Sequence, residues 1–268
     1  MNKLENLKHI LKNMRSVVVA YSGGVDSTFL LKVAGDVLGD KVLAVTAVSP
    51  TYQRKELEFS RLMAKHLNVS HKIIKTSELN NKRFVSNPVN RCYFCKKELF
   101  GALKKIAKEK KFDFVIDASN SSDKFDYRPG TKAKEEFEVR SPLAEADLTK
   151  EEIRVLSKSL KLSSWDKPSL ACLASRIPYG SKISKNILER IYKAETVLNS
   201  MGFKQVRLRH YDRLCRIEVP KNDIDRLINN RSLVVDELKK LGYNYITLDL
   251  EGYRTGSMNE VIDPPPPF

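Results

Sequence analysis

What this chain of 268 residues has little of narrows the reading first. It has no apolar run near the roughly 20 residues that a membrane helix needs, so a spanning segment is not expected. The opening stretch, MNKLENLKHILKNM, mixes charged and apolar side chains and offers no apolar h-region. A secretory signal is therefore not expected, and the cytoplasm is the expected location. Cysteine is scarce: there are four, Cys92, Cys95, Cys172 and Cys215. In a reducing compartment a disulfide framework is not expected from them, and a clustered pair points to metal ligation or catalysis. Acidic residues are in deficit, 33 against 48 Lys and Arg, for a formal net charge of +15. That excess fits an anionic partner, either nucleic acid or a phosphorylated small molecule. The lysines are spread along the whole chain without a dense basic block, which fits a solvated surface as well. The nucleotide patterns G-x-x-x-x-G-K-[ST] and G-x-G-x-x-G are also missing. The nearest look-alike, Gly35 to Lys41, lies at the end of a helix pattern rather than at its start, and reads as a loop.

Turning to what is present, 41% hydrophobic residues are enough for a real core. Leu4, Leu7, Ile10 and Leu11 recur at helical spacing. Strand patterns at 17–20, 42–48, 69–74 and 112–118 alternate with helix patterns beginning near Asp26 and at 55–67, 96–108 and 149–160. Thr149 and Glu152 stand in capping-box spacing. This alternation predicts an α/β fold: a doubly wound parallel sheet covered on both faces, with ligands at the carboxyl ends of its strands. A loop rich in Ser and Pro follows at 163–181, and then the pattern changes. A helix at 187–198, an antiparallel pair at 204–210 and 214–219, helices at 223–228 and 233–241 and a strand at 245–250 predict a small α+β unit. The expected domains are 1–170 and 171–268. The end, Asp263–Phe268, carries four consecutive prolines and is expected to be extended.

Ser22-Gly23-Gly24-Val25-Asp26-Ser27 follows the first buried strand and opens a helix. The glycines leave room for a phosphate, and successive N–H groups at a helix N-terminus face it. Ser22 and Ser27 add hydroxyl donors. Asp26 would repel a phosphate unless a divalent cation lay between them, so it implies Mg²⁺. These residues match the SGGxDS loop of the PP-loop ATP-pyrophosphatases, which split ATP between its α- and β-phosphates and form an adenylate. By that analogy the adenine is held along the next strand, near Ala47, Val48 and Ser49.

Cys92 and Cys95 form a CxxC read as standing just before a helix, and Cys172 lies far along the chain. Cys215 shares a strand face with Ile217 and Val219 and reads as a core thiol. Three thiolates are one short of a structural zinc site but suit a [4Fe–4S] cluster with one open iron. Two other readings stand beside it: Cys215 or a His completes a zinc site, or Cys172 acts alone as a sulfur-donating thiolate. Lys167 and Arg176 are then candidates to lower its pKa.

The resemblance widens with RCYFCKKELF, the stretch from Asn120 through Asp123, Asp126 and Arg128 to Gly130, KPSLACLASRIPYG, and Asp249 to Met258. These stretches, spread over nearly the whole chain, resemble the LarE family of ATP-dependent sulfur transferases in nickel-pincer nucleotide biosynthesis. The resemblance implies ATP, Mg²⁺ and a small-molecule nucleotide substrate, a pyridinium dicarboxylate mononucleotide whose carboxylates become thiocarboxylates. It implies sulfide or another sulfur donor, and a homo-oligomer. One version of the family sacrifices a single cysteine, the position that Cys172 matches. The other holds a [4Fe–4S] cluster on three cysteines, and Cys92, Cys95 and Cys172 resemble that version. The family also implies that Arg207 and Arg209, two apart on one strand, bind the substrate phosphate, and that Arg128 and Arg176 neutralise charge near the adenylate. Glu195 and Asp225 are weaker candidates for a second metal or phosphate site. The rival reading is a tRNA thiolase, which the net charge favours. The lack of an appended RNA-binding domain and of an aromatic, basic stripe speaks against tRNA.

Overall fold

The computed structural model describes residues 2–52, 54–125, 129–168 and 171–262. Two compact units emerge, one from Met1–Glu78 with Asn90–Leu170 and the other from Leu79–Val89 with Ala171 onward.

In the first unit, helix α1 (Lys3–Met14) leads into strand β1 (Val17–Ala20) and helix α2 (Val25–Leu38). Strand β2 (Val42–Val48), helix α3 (Arg54–His66) and strand β3 (Ser70–Lys75) follow. The four strands, with β4 (Phe114–Ile116), form a parallel sheet in the order β3-β2-β1-β4, so the α/β expectation holds. Alternate residues of β1 serve opposite faces. Val17 and Val19 pack with Leu7, Leu11 and Met14 of α1 and Phe29, Leu30 and Val33 of α2. Val18 packs on the other face with Phe100, Leu103 and Ile106. Each such side chain, buried, contributes about 1.5–3 kcal/mol. Because both faces are covered, the central strands read as unbroken apolar runs.

The short helix α4 (Lys82–Val85) belongs to the second unit; α5 (Arg91–Lys110) returns to the first. After β4 come the short helices α6 (Thr131–Glu136) and α7 (Pro142–Glu145), then α8 (Lys150–Ser159). Helix α8 carries the expected capping box: Glu152 N donates to Thr149 Oγ1 at 3.2 Å, and Thr149 N to Glu152 Oε2 at 2.8 Å. One expectation needs correcting. Helix α5 begins at Arg91, not near Lys96, so Cys92 and Cys95 lie in its first two turns rather than before it. The stripe Cys92, Cys95, Leu99 and Leu103 has helical spacing throughout, and Leu103 is fully buried.

In the second unit, α9 (Lys185–Ser200) packs on a three-stranded sheet in the order β5-β6-β7. Strands β5 (Arg207–Tyr211) and β6 (Leu214–Glu218) are antiparallel, while β6 and β7 (Tyr245–Leu248) are parallel. Helices α10 (Ile224–Asn229) and α11 (Arg231–Lys240) lie between β6 and β7 in sequence. Leu188, Ile191, Leu198, Phe203, Leu208 and Ile217 are buried there. The segment carrying α4 is tied in by Asn87, whose side chain donates to the carbonyls of Ile177 and Pro178 at 3.2 and 2.7 Å. Among the described residues, no helix is long and apolar enough to cross a membrane.

Candidate active site

The strand order reverses around β1: β2 lies on one side and β4 on the other. Ligands of open α/β sheets bind at the carboxyl ends of the strands at such a point. Ser22–Ser27 leaves β1 there. Gly23 has a φ of +76°, and a Cβ on it would stand 3.1 Å from Ser60 Cβ of α3, so glycine is required on both counts. Ser22 Oγ and Ser27 Oγ are 3.1 Å apart, and Gly24 N donates to Ser22 Oγ at 3.3 Å. Gly24 caps α2, and its carbonyl accepts from Thr28 N at 3.0 Å. The N–H groups at the start of α2 and the helix dipole therefore converge on one anion-binding concavity.

Asp26 sits in the first turn of α2, Val25 before it buried. Its Oδ2 is 3.6 Å from Lys150 Nζ, and its Oδ1 is buried without a hydrogen-bond partner. Burial pushes the Asp26 carboxyl above the usual range; Lys150 opposes that, and the charge of Asp123 adds to it. An orphaned carboxylate oxygen with a second carboxylate near it is a hard, oxygen-rich donor set, and these residues fit Mg²⁺. Asp123 lies in the loop after β4, where its Oδ2 accepts from Asn120 N at 3.0 Å. Both side-chain amide atoms of Asn120, and Ser121 Oγ, are buried without hydrogen-bond partners. Arg128 and Asp126 lie outside the described residues.

At the carboxyl end of β2, Ala47 is still in register with Ile74 of β3. Ser49 Oγ and Thr51 Oγ1 donate to Glu78 Oε1 at 2.5 and 2.8 Å. Glu78 is buried, and its Oε2 has no partner. Nothing local marked Glu78, which stands beyond the next strand.

Lys167, considered as a neighbour of Cys172, is engaged elsewhere. Its Nζ pairs with Glu56 Oε2 at 2.5 Å and donates to the Gly23 carbonyl at 3.3 Å. Tyr52, which the sequence did not single out, donates its hydroxyl to the Ser22 carbonyl at 2.8 Å.

Cys92 and Cys95, at i and i+3 on one helix face, are half-buried. They fit as a pair of thiolate ligands. Tyr93 between them bonds Glu136 through its hydroxyl at 2.8 Å and meets the Phe94 ring edge-on. Cys172 belongs to the second unit and is exposed. Among the described residues, no three His, Cys, Asp or Glu side chains gather as a metal-binding group. Cys215 is fully buried, and burial pushes its thiol up to about 12, as fits a core residue.

The second unit also buries its arginines. Arg176 is bidentate on Glu195, with Nε to Oε1 at 2.9 Å and Nη2 to Oε2 at 3.0 Å. Its Nη1 donates to the carbonyls of Ala171 and Cys172 at 2.8 and 3.2 Å. Arg209 is bidentate on Glu218 and also reaches Ser257 Oγ at 2.9 Å. Arg207 shares its strand face, and its guanidinium lies over the Tyr253 ring at 5.3 Å. Burial, with the nearby Arg176 charge, pushes Arg207 below its ordinary value. That face is buried rather than solvated, which alternation along a strand could not reveal. Asp225 lies in the first turn of α10.

The sequence pattern of the family described as queuosine biosynthesis protein QueC matches residues 16–87, from β1 through the phosphate loop to α4. An uncharacterised protein of Synechocystis sp. is 44% identical, covering 97% of this chain and 98% of its own length. The pyridinium-3,5-bisthiocarboxylic acid mononucleotide synthase of Lactiplantibacillus plantarum is 36% identical, covering 97% of this chain and 95% of its own. An uncharacterised protein of Methanocaldococcus jannaschii is 31% identical over 93% of this chain.

Proposed function

The chain belongs to the LarE family of ATP-using sulfurtransferases, within the PP-loop superfamily, and from that premise we propose that it adenylates a carboxylate of a pyridinium dicarboxylate mononucleotide and exchanges the AMP for sulfur. The observation that carries the reading is the phosphate loop at the switch point of the sheet, with the orphaned Asp26 beside it.

The substrate carboxylate attacks the α-phosphorus of ATP, and pyrophosphate leaves. The amides and hydroxyls of Ser22–Ser27 hold the departing pyrophosphate, with Val25 at the start of the helix. Asp26, with Asp123, would hold Mg²⁺, which when bound screens the phosphate charge. The adenosine lies toward Ala47 and Ser49. A sulfur nucleophile then attacks the acyl carbon, the bond to AMP breaks, and a thiocarboxylate remains. Arg207 and Arg209 are assigned to the substrate phosphate, and Arg128 to charge near the adenylate. Arg176 fills a related role by holding the turn on which Cys172 stands.

Cys92, Cys95 and Cys172 are assigned to a [4Fe–4S] cluster, which when bound supplies an iron able to carry hydrosulfide. The CxxC pair at the start of α5 supports this over a sacrificial Cys172 acting alone. The chain is assigned to a homo-oligomer on the family resemblance.

The test is to purify the wild type and Cys92→Ala without oxygen and to measure iron, sulfide and the electronic spectrum. Both are then supplied with the pyridinium substrate, ATP, Mg²⁺ and sulfide. About four irons per chain, lost in the variant, is the expected result. One AMP and one pyrophosphate should form per sulfur installed. Iron-free protein that loses the elements of H₂S from Cys172 on turnover, leaving dehydroalanine, would select the sacrificial route. Release of ADP and orthophosphate would sink the adenylation reading.

A further inference from the structure

The glycines that make the phosphate loop also make it loose. The peptide between Gly23 and Gly24 has no Cβ on either side to resist rotation, so glycine alone does not keep its N–H on the phosphate side. Within the loop, that N–H has Ser22 Oγ at 3.3 Å as its acceptor, and the carbonyls of Ser22 and Gly23 are held from outside it.

Two side chains from distant parts of the first unit hold them. Tyr52 donates its hydroxyl to the Ser22 carbonyl at 2.8 Å, and Lys167 Nζ donates to the Gly23 carbonyl at 3.3 Å. In a trans peptide, the C=O and the N–H of one unit point in opposite directions. A donor that holds the Ser22 carbonyl therefore turns the Gly23 N–H the other way. A donor on the Gly23 carbonyl does the same for the Gly24 N–H. Consecutive amides turned to one side are what an anion-binding nest requires.

Both donors are held in their turn. Lys167 pairs with Glu56 and lies 3.6 Å from the centre of the Phe59 ring, so its ammonium is fixed between α3 and the loop. The turn that presents it is pinned by Arg154 of α8, which donates to the carbonyls of Trp165 and Lys167 at 2.9 and 2.8 Å. Burial, with Glu56 beside it, pushes the Tyr52 phenol well above its ordinary value, so the hydroxyl stays a donor throughout the working range of pH.

We propose that Tyr52 and Lys167 are positioning residues of the phosphate loop: they hold the Ser22–Gly23 plane so that the Gly23 N–H faces the phosphates of ATP, and the Gly23–Gly24 plane so that the Gly24 N–H stays turned to the same side, where it donates to Ser22 Oγ at 3.3 Å. They act through the backbone and do not touch the nucleotide. The inference rests on ATP use by this loop and not on the identity of the sulfur acceptor, so each can fail without the other.

The experiment is calorimetric binding of ATP with Mg²⁺, and of adenosine, to the full chain. Tyr52→Phe removes one oxygen without changing the packing. It is expected to weaken ATP about 3- to 10-fold, the worth of one neutral hydrogen bond. Lys167→Met removes a charge-assisted bond and is expected to weaken ATP about 10- to 100-fold. Adenosine affinity should stay within about 2-fold in both, since only the phosphates meet these amides. Unchanged ATP affinity in Tyr52→Phe overturns the proposal. Parallel loss of ATP and adenosine overturns it too, because that is general damage to the fold. A loss in Lys167→Met alone would make Lys167 a direct phosphate ligand instead. Should Lys167→Met fail to fold, Tyr52→Phe decides by itself.

Discussion

A carboxylate buried beside a phosphate loop costs stability until a cation meets it. Asp26 shows that cost as a raised pKa, caused first by burial. The unfolded chain ionises near the ordinary aspartate value of 3.8, and the folded chain only at higher pH. Stability is therefore highest below the unfolded pKa and is lost as pH rises through the folded one. In a chelating buffer, Asp26→Asn should melt above the wild type at neutral pH, the gap closing below 3.8. Thermal melts across that range check the sign. The same substitution should lower pyrophosphate release about 10²–10³-fold, the usual effect of removing an electrostatic stabiliser from a transition state. The cysteines differ in the same physical way. Cys215 has its thiol pushed up to about 12 by burial, whereas Cys172 is exposed. Iodoacetamide on the native, metal-free protein should label Cys172 and leave Cys215 untouched until the chain is unfolded. Peptide mass after labelling reads this directly.

Helix ends carry much of the site. Thr149 and Glu152 cap α8 reciprocally, and the first residue of that helix, Lys150, faces Asp26. Thr149→Ala should cost about 1 kcal/mol, seen as a lower denaturant midpoint with an unchanged slope. In the second unit, Arg176 and Glu195 join the turn beside Cys172 to α9. Removing either partner leaves a buried charge, so Arg176→Met or Glu195→Leu alone should cost about 3–5 kcal/mol. The double variant should recover a large part of that. A double-mutant cycle in urea measures the coupling. The start of α5 shows how an element can be legible and still be misjudged at its boundary. Cys92, Cys95, Leu99 and Leu103 form a helical stripe, but a CxxC invites reading as a loop. Tyr93, between the cysteines, and Leu99 pack against the core of Phe100 and Leu103, and the helix runs through both cysteines from Arg91.

At the scale of the molecule, the net charge of +15 also suits a nucleic-acid partner. Charge dispersed over a surface binds polyanions only through counterion release, which salt abolishes. Any tRNA retained on the protein at low salt should therefore elute before about 0.2 M salt, where nonspecific contacts have weakened by several orders of magnitude. Retention beyond that, with saturation at one site, would favour the tRNA reading. Filter binding over a salt series decides it.

The chain order of the four strands and longer helices of the first unit, and the place of the phosphate loop, are legible in the amino acids alone, whereas the short helices α6 and α7 are not. Both rest on short-range signals: apolar runs of strand length, glycines at a strand-to-helix turn, and a cap spaced by three residues. The sequence also carried the family resemblance, because those motifs are contiguous. Which groups serve the site from afar depends on how the chain packs. Lys167 stands 144 residues from Gly23, and Glu78 29 from Ser49; no spacing rule links them. Only the structure showed that Arg207 and Arg209 are buried, since a strand presents alternate residues to a face without telling what covers it. Periodicity is a property of one segment, whereas desolvation and ion pairing depend on what the rest of the chain brings against it.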